Sequence, residues 1–303
     1  MLGKRLNYGD TIGLVAPAGI ANEEDIDKGI KKLESMGFRV KEGKSIYKKW
    51  GYFAGEDVER AEDIMEMFED KAVDMILCVR GGYGSMRLLP YLNFSKIKKN
   101  PKIFMGYSDI TVLLNYIYQK TGIITFHGPM LTSDFDNEHT RKSFIAAVML
   151  GYNNYSIINP CDMKLLSNSD RKVEGKIVGG NLSLICGTLG TKYAIDTKGN
   201  ILFIEEVGEQ PYKIDRMLTQ LILSDKLKEC EGIILGQFTE CEDSYSGFLL
   251  NEVIKDRLLS LNKPIVANLA SGHDNPKLTL PIGAKCRLNC GEAFIEIVEA
   301  VVK

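Results

Sequence analysis

Short unbroken apolar runs alternate with stretches of helical spacing through the first half of the chain. Thr11 to Ala16, Phe38 to Val40, Met75 to Val79, Phe104 to Gly106 and Ile123 to Phe126 read as strands. Between them, Asn22 caps a helix that opens on Glu23, Glu24 and Asp25, carries Ile26, Ile30 and Leu33 on one face, and ends at Gly37. A second helix begins near Glu56 with Val58, Ala61, Ile64, Met65 and Phe68 as its apolar face. A short helix runs through Leu88 and Leu89, another covers Thr111 to Tyr118, and another spans Glu138 to Leu150. Strands apolar throughout, alternating with helices, predict a parallel sheet covered on both faces.

From Gly151 to Lys172 the pattern turns polar and irregular, with Asn153, Asn154, Asn159, Pro160, Ser167, Asn168 and Ser169, and reads as a connection. Beyond it come a strand from Val173 to Val178, a tight turn at Gly179-Gly180, and a helix from Asn181 through Leu189. Ile201 to Ile204 and Ile233 to Leu235 read as strands around a helix from Ile214 to Leu223. The tail holds short strands at Leu278 to Leu280, Lys285 to Leu288 and Phe294 to Val298. The fold class is therefore α/β. Residues 1–150 form an N-terminal doubly wound, mostly parallel sheet domain, 151–172 a linker, and 173–303 a smaller β-rich C-terminal domain.

Two motifs fall after strand ends, where such sheets place ligands. The first is Gly106-Tyr107-Ser108-Asp109, in which a strand ends on glycine and a serine opens the next helix. That is the layout of a nucleophile elbow, which lifts a hydroxyl beside the N–H groups of a helix N-terminus. It is not the Gly-x-Ser-x-Gly signature of the α/β-hydrolases, and the plainer alternative is a serine that only caps the helix. The second is Arg80-Gly81-Gly82-Tyr83-Gly84, whose N–H groups could receive an oxyanion. It has neither the Lys-Ser/Thr of a P-loop nor a Gly-x-Gly-x-x-Gly frame, and a turn requiring positive φ explains it equally.

A serine nucleophile needs a base, and the chain has three histidines. His139 lies in a polar run at a helix start. His127 follows a strand in Phe126-His127-Gly128-Pro129, and His273 sits in the loop Gly272-His273-Asp274-Asn275-Pro276. Residue type leaves His273 and His127 both open, His273 ahead. For the orienting acid, Glu205 directly follows the apolar strand Ile201 to Ile204, so it is expected at a rim and partly desolvated. Glu206 and Glu209 are expected to be solvated or to sit near the next helix N-terminus.

Composition narrows the function classes. The 303 residues are 45% hydrophobic and 26% charged, as in an ordinary soluble globular protein. A net charge of −2 gives no nucleic-acid footprint, and no apolar stretch approaches the ~20 residues of a membrane span. No signal peptide is expected. Its seven scattered cysteines lack paired Cys-x-x-Cys spacing, so no metal site is expected and a reducing cytoplasm is.

Taken in order, Gly9-Asp10-Thr11-Ile12-Gly13-Leu14-Val15-Ala16-Pro17-Ala18-Gly19, Phe53-Ala54-Gly55, the Arg80 loop, the Ser108 turn, His127-Gly128-Pro129-Met130, Gly179-Gly180-Asn181-Leu182, Phe203 to Glu209 and Gly272-His273 resemble the LD-carboxypeptidases, serine peptidases of the S66 type. The resemblance covers nearly the whole chain. It implies Ser108 as nucleophile, Glu205 as the acid and His273 as the base, with backbone N–H groups of Asp109 and Gly82 as oxyanion donors. Arg80, Gly81 and Tyr83 become candidates for substrate contact, Arg80 by position and charge. The resemblance further implies no cofactor, a cytoplasmic homodimer, and removal of a terminal D-alanine from a murein tetrapeptide. The same family includes microcin-immunity enzymes that cleave peptidyl-nucleotides and use an aromatic to stack the base. Trp50 is far in sequence from the Glu205 loop, though Tyr212 could substitute. A non-catalytic nucleotide- or sugar-phosphate-binding protein is the reading from another class, and it requires that Ser108, Glu205 and His273 not converge.

Overall fold

The structure, a computed structural model, describes residues 1–151, 153–167, 171–242 and 247–303. Asn168 and Ser169 of the expected linker lie outside the described residues. In chain order the elements are β1 (Thr11–Val15), α1 (Glu23–Ser35), β2 (Arg39–Glu42), α2 (Asp57–Glu69), β3 (Met75–Cys78), α3 (Phe94–Lys99), β4 (Ile103–Gly106), α4 (Thr111–Thr121), β5 (Thr125–His127) and α5 (Glu138–Val148). They continue with β6 (Tyr155–Ser156), β7 (Lys164–Leu165), β8 (Lys172–Asn181), α6 (Leu182–Gly187), β9 (Ile201–Val207), α7 (Pro211–Leu223), α8 (Lys226–Glu229) and β10 (Gly232–Thr239). The last are α9 (Leu250–Leu259), β11 (Ile265–Ala267), β12 (Leu280–Ile282), β13 (Lys285–Asn289) and β14 (Phe294–Ile297). Short 3-10 helices cover Ser85–Tyr91 and Ser108–Ile110.

The chain divides into two compact units. One comprises Met1–Asn153, Thr279–Gly283 and Ala300–Lys303; the other comprises Asn154–Leu278 and Ala284–Glu299. The first unit holds a sheet in the order β12-β5-β4-β3-β1-β2, parallel from β2 through β5. Its strands β1, β3, β4 and β5 are buried along their whole length, as the unbroken apolar runs require. Only β2 is an exposed edge. Because β1 lies between β2 and β3, the winding reverses there, which is where doubly wound sheets open a crevice at the carboxyl ends of their strands.

Two sequence expectations need correction in this unit. Residues 279–283, expected in the C-terminal domain, belong here: β12 pairs antiparallel with β5, Leu280 opposite His127 and Ile282 opposite Thr125. The buried face of α2 matches the predicted apolar stripe only in part. Val58 is exposed, whereas Arg60 and Asp63 are buried beside Ala61, Ile64 and Phe68. Asp63 accepts from the N–H groups of Lys44 (3.0 Å) and Ser45 (2.7 Å) and from the Ser45 hydroxyl (2.6 Å), which offsets its desolvation.

The second unit is built on a sheet in the order β6-β14-β13-β8-β9-β10-β11-β7. Strands β8, β9, β10 and β11 run parallel, and β13, β14, β6 and β7 add antiparallel edges. The expected linker thus contributes two of its strands, β6 and β7. Gly179 and Gly180 are not the expected turn: β8 continues through them to Asn181, with φ of +122° and +138°. A Cβ on Gly179 would lie 2.0 Å from the Phe203 carbonyl oxygen, so glycine here permits close approach of β9. Asn181 then caps α6, accepting from the Leu184 N–H at 3.2 Å. That helix ends at Gly187, short of the predicted Leu189. Among the described residues no helix is long and apolar enough to cross a membrane.

Candidate active site

The candidate side chains fall into two clusters, one in each unit. In the first unit, β4 delivers the chain to Gly106, where a Cβ would meet the Ile110 side chain at 2.9 Å; the strand can therefore turn sharply into α4. Tyr107 is extended, and Ser108 adopts φ +62°, a left-handed conformation that a serine occupies at a cost of about 1–2 kcal/mol. The strained residue is the one the sequence marks as nucleophile. Directly after it, the 3-10 helix Ser108–Ile110 leads into α4, with the Thr111 N–H bonded to the Ser108 carbonyl. Ser108 is half-buried and Asp109 buried.

The Gly-rich loop after β3 packs against this turn. A Cβ on Gly81 would stand 2.9 Å from Ser108 Cβ, 3.0 Å from its Oγ and 3.5 Å from the Asp109 nitrogen. Only glycine lets the loop backbone border both the hydroxyl and the first amide of the turn. Gly82, at φ +118°, rests on Gly19, whose N–H donates to the Gly81 carbonyl at 3.2 Å. The loops after β1, β3 and β4 therefore meet around one hydroxyl.

Two buried charged groups hold that meeting in place. Asp109 accepts the Ser85 N–H at 2.7 Å, and the Ser85 hydroxyl donates to the Asp109 carbonyl. Burial pushes the Asp109 carboxyl above its usual range, against the pull of the Ser85 hydrogen bonds, the Gly84 N–H and the charge of Arg60. Arg60, fully buried, donates to the carbonyls of Gly55 (3.1 Å), Gly84 (3.2 Å) and Pro17 and pairs with Asp57. One guanidinium thus ties together three loops, and the Phe53 ring lies 4.8 Å from it. Sequence reasoning passed over Arg60. An arginine beside Ala61 on an amphipathic helix, three residues after an aspartate, reads as a solvated ion pair.

The other expected residues of this unit are placed separately. Arg80 is exposed and donates to the Ile20 carbonyl at 2.9 Å. Tyr83 leans on an aromatic cluster with Tyr52 (6.0 Å) and Phe53 (5.7 Å), and Trp50 stacks on Phe53. His127 is buried in β5 opposite Gly106, its ring 6.0 Å from that of Tyr107. His139 is exposed at the start of α5.

In the second unit, Glu205 lies in β9 with no exposure, rather than at a partly desolvated rim. Its Oε2 is 2.8 Å from His273 Nδ1. Burial pushes the carboxyl above its usual range, and the hydrogen bond and charge of His273 pull it back down. With Glu205 ionised, Nδ1 is the donor, so the lone pair of the ring sits on Nε2. A residue at 272 must fit between the two partners: a Cβ there would come within 3.3 Å of Glu205 Oε2, and Gly272 has φ +150°.

Glu206 is buried as well, contrary to the solvated placement expected for it. On the opposite face of β9 it accepts from Asn181 Nδ2 (2.8 Å), the Val207 N–H (2.9 Å), and the Ser183 N–H (2.8 Å) and hydroxyl (2.7 Å). Three of these four bonds fasten the start of α6 to β9. Glu209 pairs with Lys213 at 3.0 Å across the first turn of α7. Among the described residues no group of three or more His, Cys, Asp or Glu is placed to hold a metal ion.

Residues 12–128 match the model of the LD-carboxypeptidase N-terminal domain, and residues 174–288 match that of the LD-carboxypeptidase C-terminal domain. The chain belongs to the LD-carboxypeptidase family. It is 41% identical over 305 residues to a probable murein peptide carboxypeptidase of Bacillus subtilis, covering 99% of this chain and 94% of that one. It is 32% identical over 333 residues to the microcin C7 self-immunity protein MccF of Escherichia coli, covering 99% and 96%. Among solved structures, the muramoyltetrapeptide carboxypeptidase of Oxalobacter formigenes superposes with a TM-score of 0.82 at 33% identity, covering 94% of this chain and 97% of that one. The family is a peptidase family, and the expected α/β class with a doubly wound domain and a β-rich domain holds.

Proposed function

We propose that this protein is a serine carboxypeptidase that hydrolyses the amide between an L-centre and a terminal D-amino acid, releasing D-alanine from murein-derived tetrapeptides. The observation that carries the reading is the buried Glu205–His273 pair, 2.8 Å apart, in a chain whose Ser108 sits at φ +62° on a strand-to-helix turn. Family membership and the names of the relatives support the substrate class.

In this reading Ser108, Glu205 and His273 form the catalytic triad. Nε2 of His273 takes the Ser108 proton while Oγ attacks the scissile carbonyl carbon, giving a tetrahedral oxyanion. The N–H groups of Asp109 and Gly82 receive that oxyanion; one such donor is worth about 10²–10³ in rate. The imidazolium then protonates the leaving amine of D-alanine, and water repeats the cycle on the acyl-enzyme. Glu205 fixes the tautomer and balances the imidazolium charge without itself accepting the proton. Arg80, Gly81 and Tyr83 contact the substrate, Arg80 offering a cation to its terminal carboxylate. The reading carries with it a cofactor-free cytoplasmic homodimer.

A second reading, hydrolysis of a microcin-type peptidyl-nucleotide, draws on the similarity to MccF and on Tyr212. That ring is exposed in the first turn of α7, seven residues beyond Glu205, where it could stack a base.

The test is release of D-alanine from L-Ala-γ-D-Glu-meso-diaminopimelate-D-Ala by the wild type and by Ser108→Ala. Release by the wild type with a loss of about 10⁴-fold or more in the variant supports the reading. An inactive wild type that cleaves a peptidyl-adenylate analogue turns the assignment to the second reading. Equal release by both proteins removes Ser108 from the mechanism.

A further inference from the structure

The loop that carries His273 is gripped from β10. Between Leu235 and Phe238 the register of β10 on β9 shifts, and Gly236 and Gln237 occupy the irregularity. A Cβ on Gly236 would lie 2.3 Å from the Ser271 carbonyl oxygen, so glycine there lets the strand reach the loop. Gln237 follows with three hydrogen bonds to three points of that loop. Its N–H donates to the Ser271 carbonyl at 3.0 Å, its Oε1 accepts from the Asp274 N–H at 3.0 Å, and its Nε2 donates to the Pro276 carbonyl at 3.2 Å. The bonds bracket His273 on both sides. The Thr239 hydroxyl adds a fourth, to Asp274 Oδ2 at 2.8 Å.

Gln237 also closes on the same point as the histidine's acid. The Cβ position of Gly272 lies 2.9 Å from Gln237 Cβ, 3.1 Å from its Oε1 and 3.3 Å from Glu205 Oε2. Glu205 stands on β9 and Gln237 on its neighbour β10, so two adjacent strands address one residue, the one preceding the histidine. Lys277 also donates to the carbonyls of His273 and Asp274, but from within the same segment, whereas Gln237 ties the loop to the sheet.

We propose that Gln237 is the positioning residue of His273: its main chain and both ends of its amide set the loop so that Nδ1 meets Glu205. The proposal rests on the triad reading above. Gln237 acts through the histidine, by way of its bonds to the loop.

The experiment compares Gln237→Met, close in shape but without the amide, and Thr239→Val with the wild type on the murein tetrapeptide. For Gln237→Met, kcat falls by about 10–100-fold with KM unchanged, because misplacing a catalytic group by an ångström or less costs that order. The far-downfield proton resonance of the His273–Glu205 pair weakens or disappears, a change that lost stability alone does not produce. Thr239→Val shifts both readouts the same way by a smaller factor. A Gln237→Met enzyme with kcat within twofold of wild type, or with a loss no larger than its unfolded fraction and the resonance intact, overturns the proposal. Should Gln237→Met not fold, Thr239→Val decides: lower kcat at constant KM supports the proposal, and wild-type kcat overturns it. An active His273→Ala enzyme overturns the triad reading and the proposal together, whereas loss in His273→Ala with no effect at 237 and 239 removes only the proposal.

Discussion

Oε2 of Glu205, on a side chain with no exposure to solvent, receives Nδ1 of His273 at 2.8 Å. A buried carboxylate is a cost to the fold, and this one serves in part to hold the His273 ring.

That division of cost and return predicts opposite effects of Glu205→Gln. Activity falls by about 10³–10⁴-fold, because a glutamine amide turned toward the ring favours the wrong tautomer. Stability does not fall with it. The Glu205 carboxyl lies above its ordinary value, so its favourable linkage to folding is present below the unfolded value and is lost as pH rises through the folded value. The variant has no such dependence. Its thermal midpoint relative to wild type therefore rises between pH 4 and pH 8, measurable by calorimetry across that range.

Ser108 predicts a second trade. Its φ of +62° suits glycine, so Ser108→Gly stabilises the protein by about 1 kcal/mol in urea unfolding while abolishing turnover. Ser108→Ala abolishes turnover without that gain. Equal stabilities of the glycine and alanine variants would show the turn to be unstrained.

Gly81→Ala tests the close approach of the Gly-rich loop. The added methyl would sit 2.9 Å from Ser108 Cβ and 3.0 Å from Oγ, so the loop or the hydroxyl must move. The expected result is a loss of about 10²-fold in kcat/KM with the fold retained by circular dichroism.

Arg60 predicts a loss that is structural first. Removing the guanidinium in Arg60→Ala takes the side-chain donor from the carbonyls of Gly55 and Pro17, leaves Gly84 with only the Arg87 N–H, and removes a compensating charge from the buried Asp109. The cost is about 3–5 kcal/mol by denaturant unfolding. Arg60→Lys recovers less than half, since one ammonium cannot span three loops.

The cysteines give a direct count. Six of the seven are buried and only Cys161 is exposed. Burial pushes Cys186 up to about 12 and Cys230, Cys241 and Cys290 up to about 11. A thiol reagent at pH 8 should therefore titrate one group rapidly in the native protein and seven in guanidinium.

The first unit was legible because its strands are apolar without interruption, which leaves little choice but a parallel sheet. The positions of Ser108 and the Gly-rich loop after strand ends were legible for the same reason. What escaped was the work done by residues whose type misleads. Arg60 and Asp63 look like helix surface, yet buried backbone groups of neighbouring loops recruit them. Gly179 and Gly180 look like a turn, yet they serve the approach of β9. Glu206 looks solvated, yet four donors from Asn181, Ser183 and Val207 satisfy it. Each depends on contacts between segments distant in sequence, and periodicity carries no record of those. The edges β6 and β7 were lost because two residues cannot display a period, and β12 was expected two residues early, at 278–280.

The placement of β12 has a consequence for how the molecule is made. Four crossings of the chain separate the units, at 153–154, 278–279, 283–284 and 299–300. The sheet of the first unit lacks its neighbour to β5 until residues 280–282 have been synthesised, and Gly3 and Arg5 lack their partners until Val302 and Lys303 have. A nascent chain carrying the whole of β1 to β5 still presents β5 as a bare edge, open to pairing with another chain. The first sheet is thus completed only once residues 280–282 have been made, and β5 stays a bare edge while residues 128–279, about half of the chain, are synthesised.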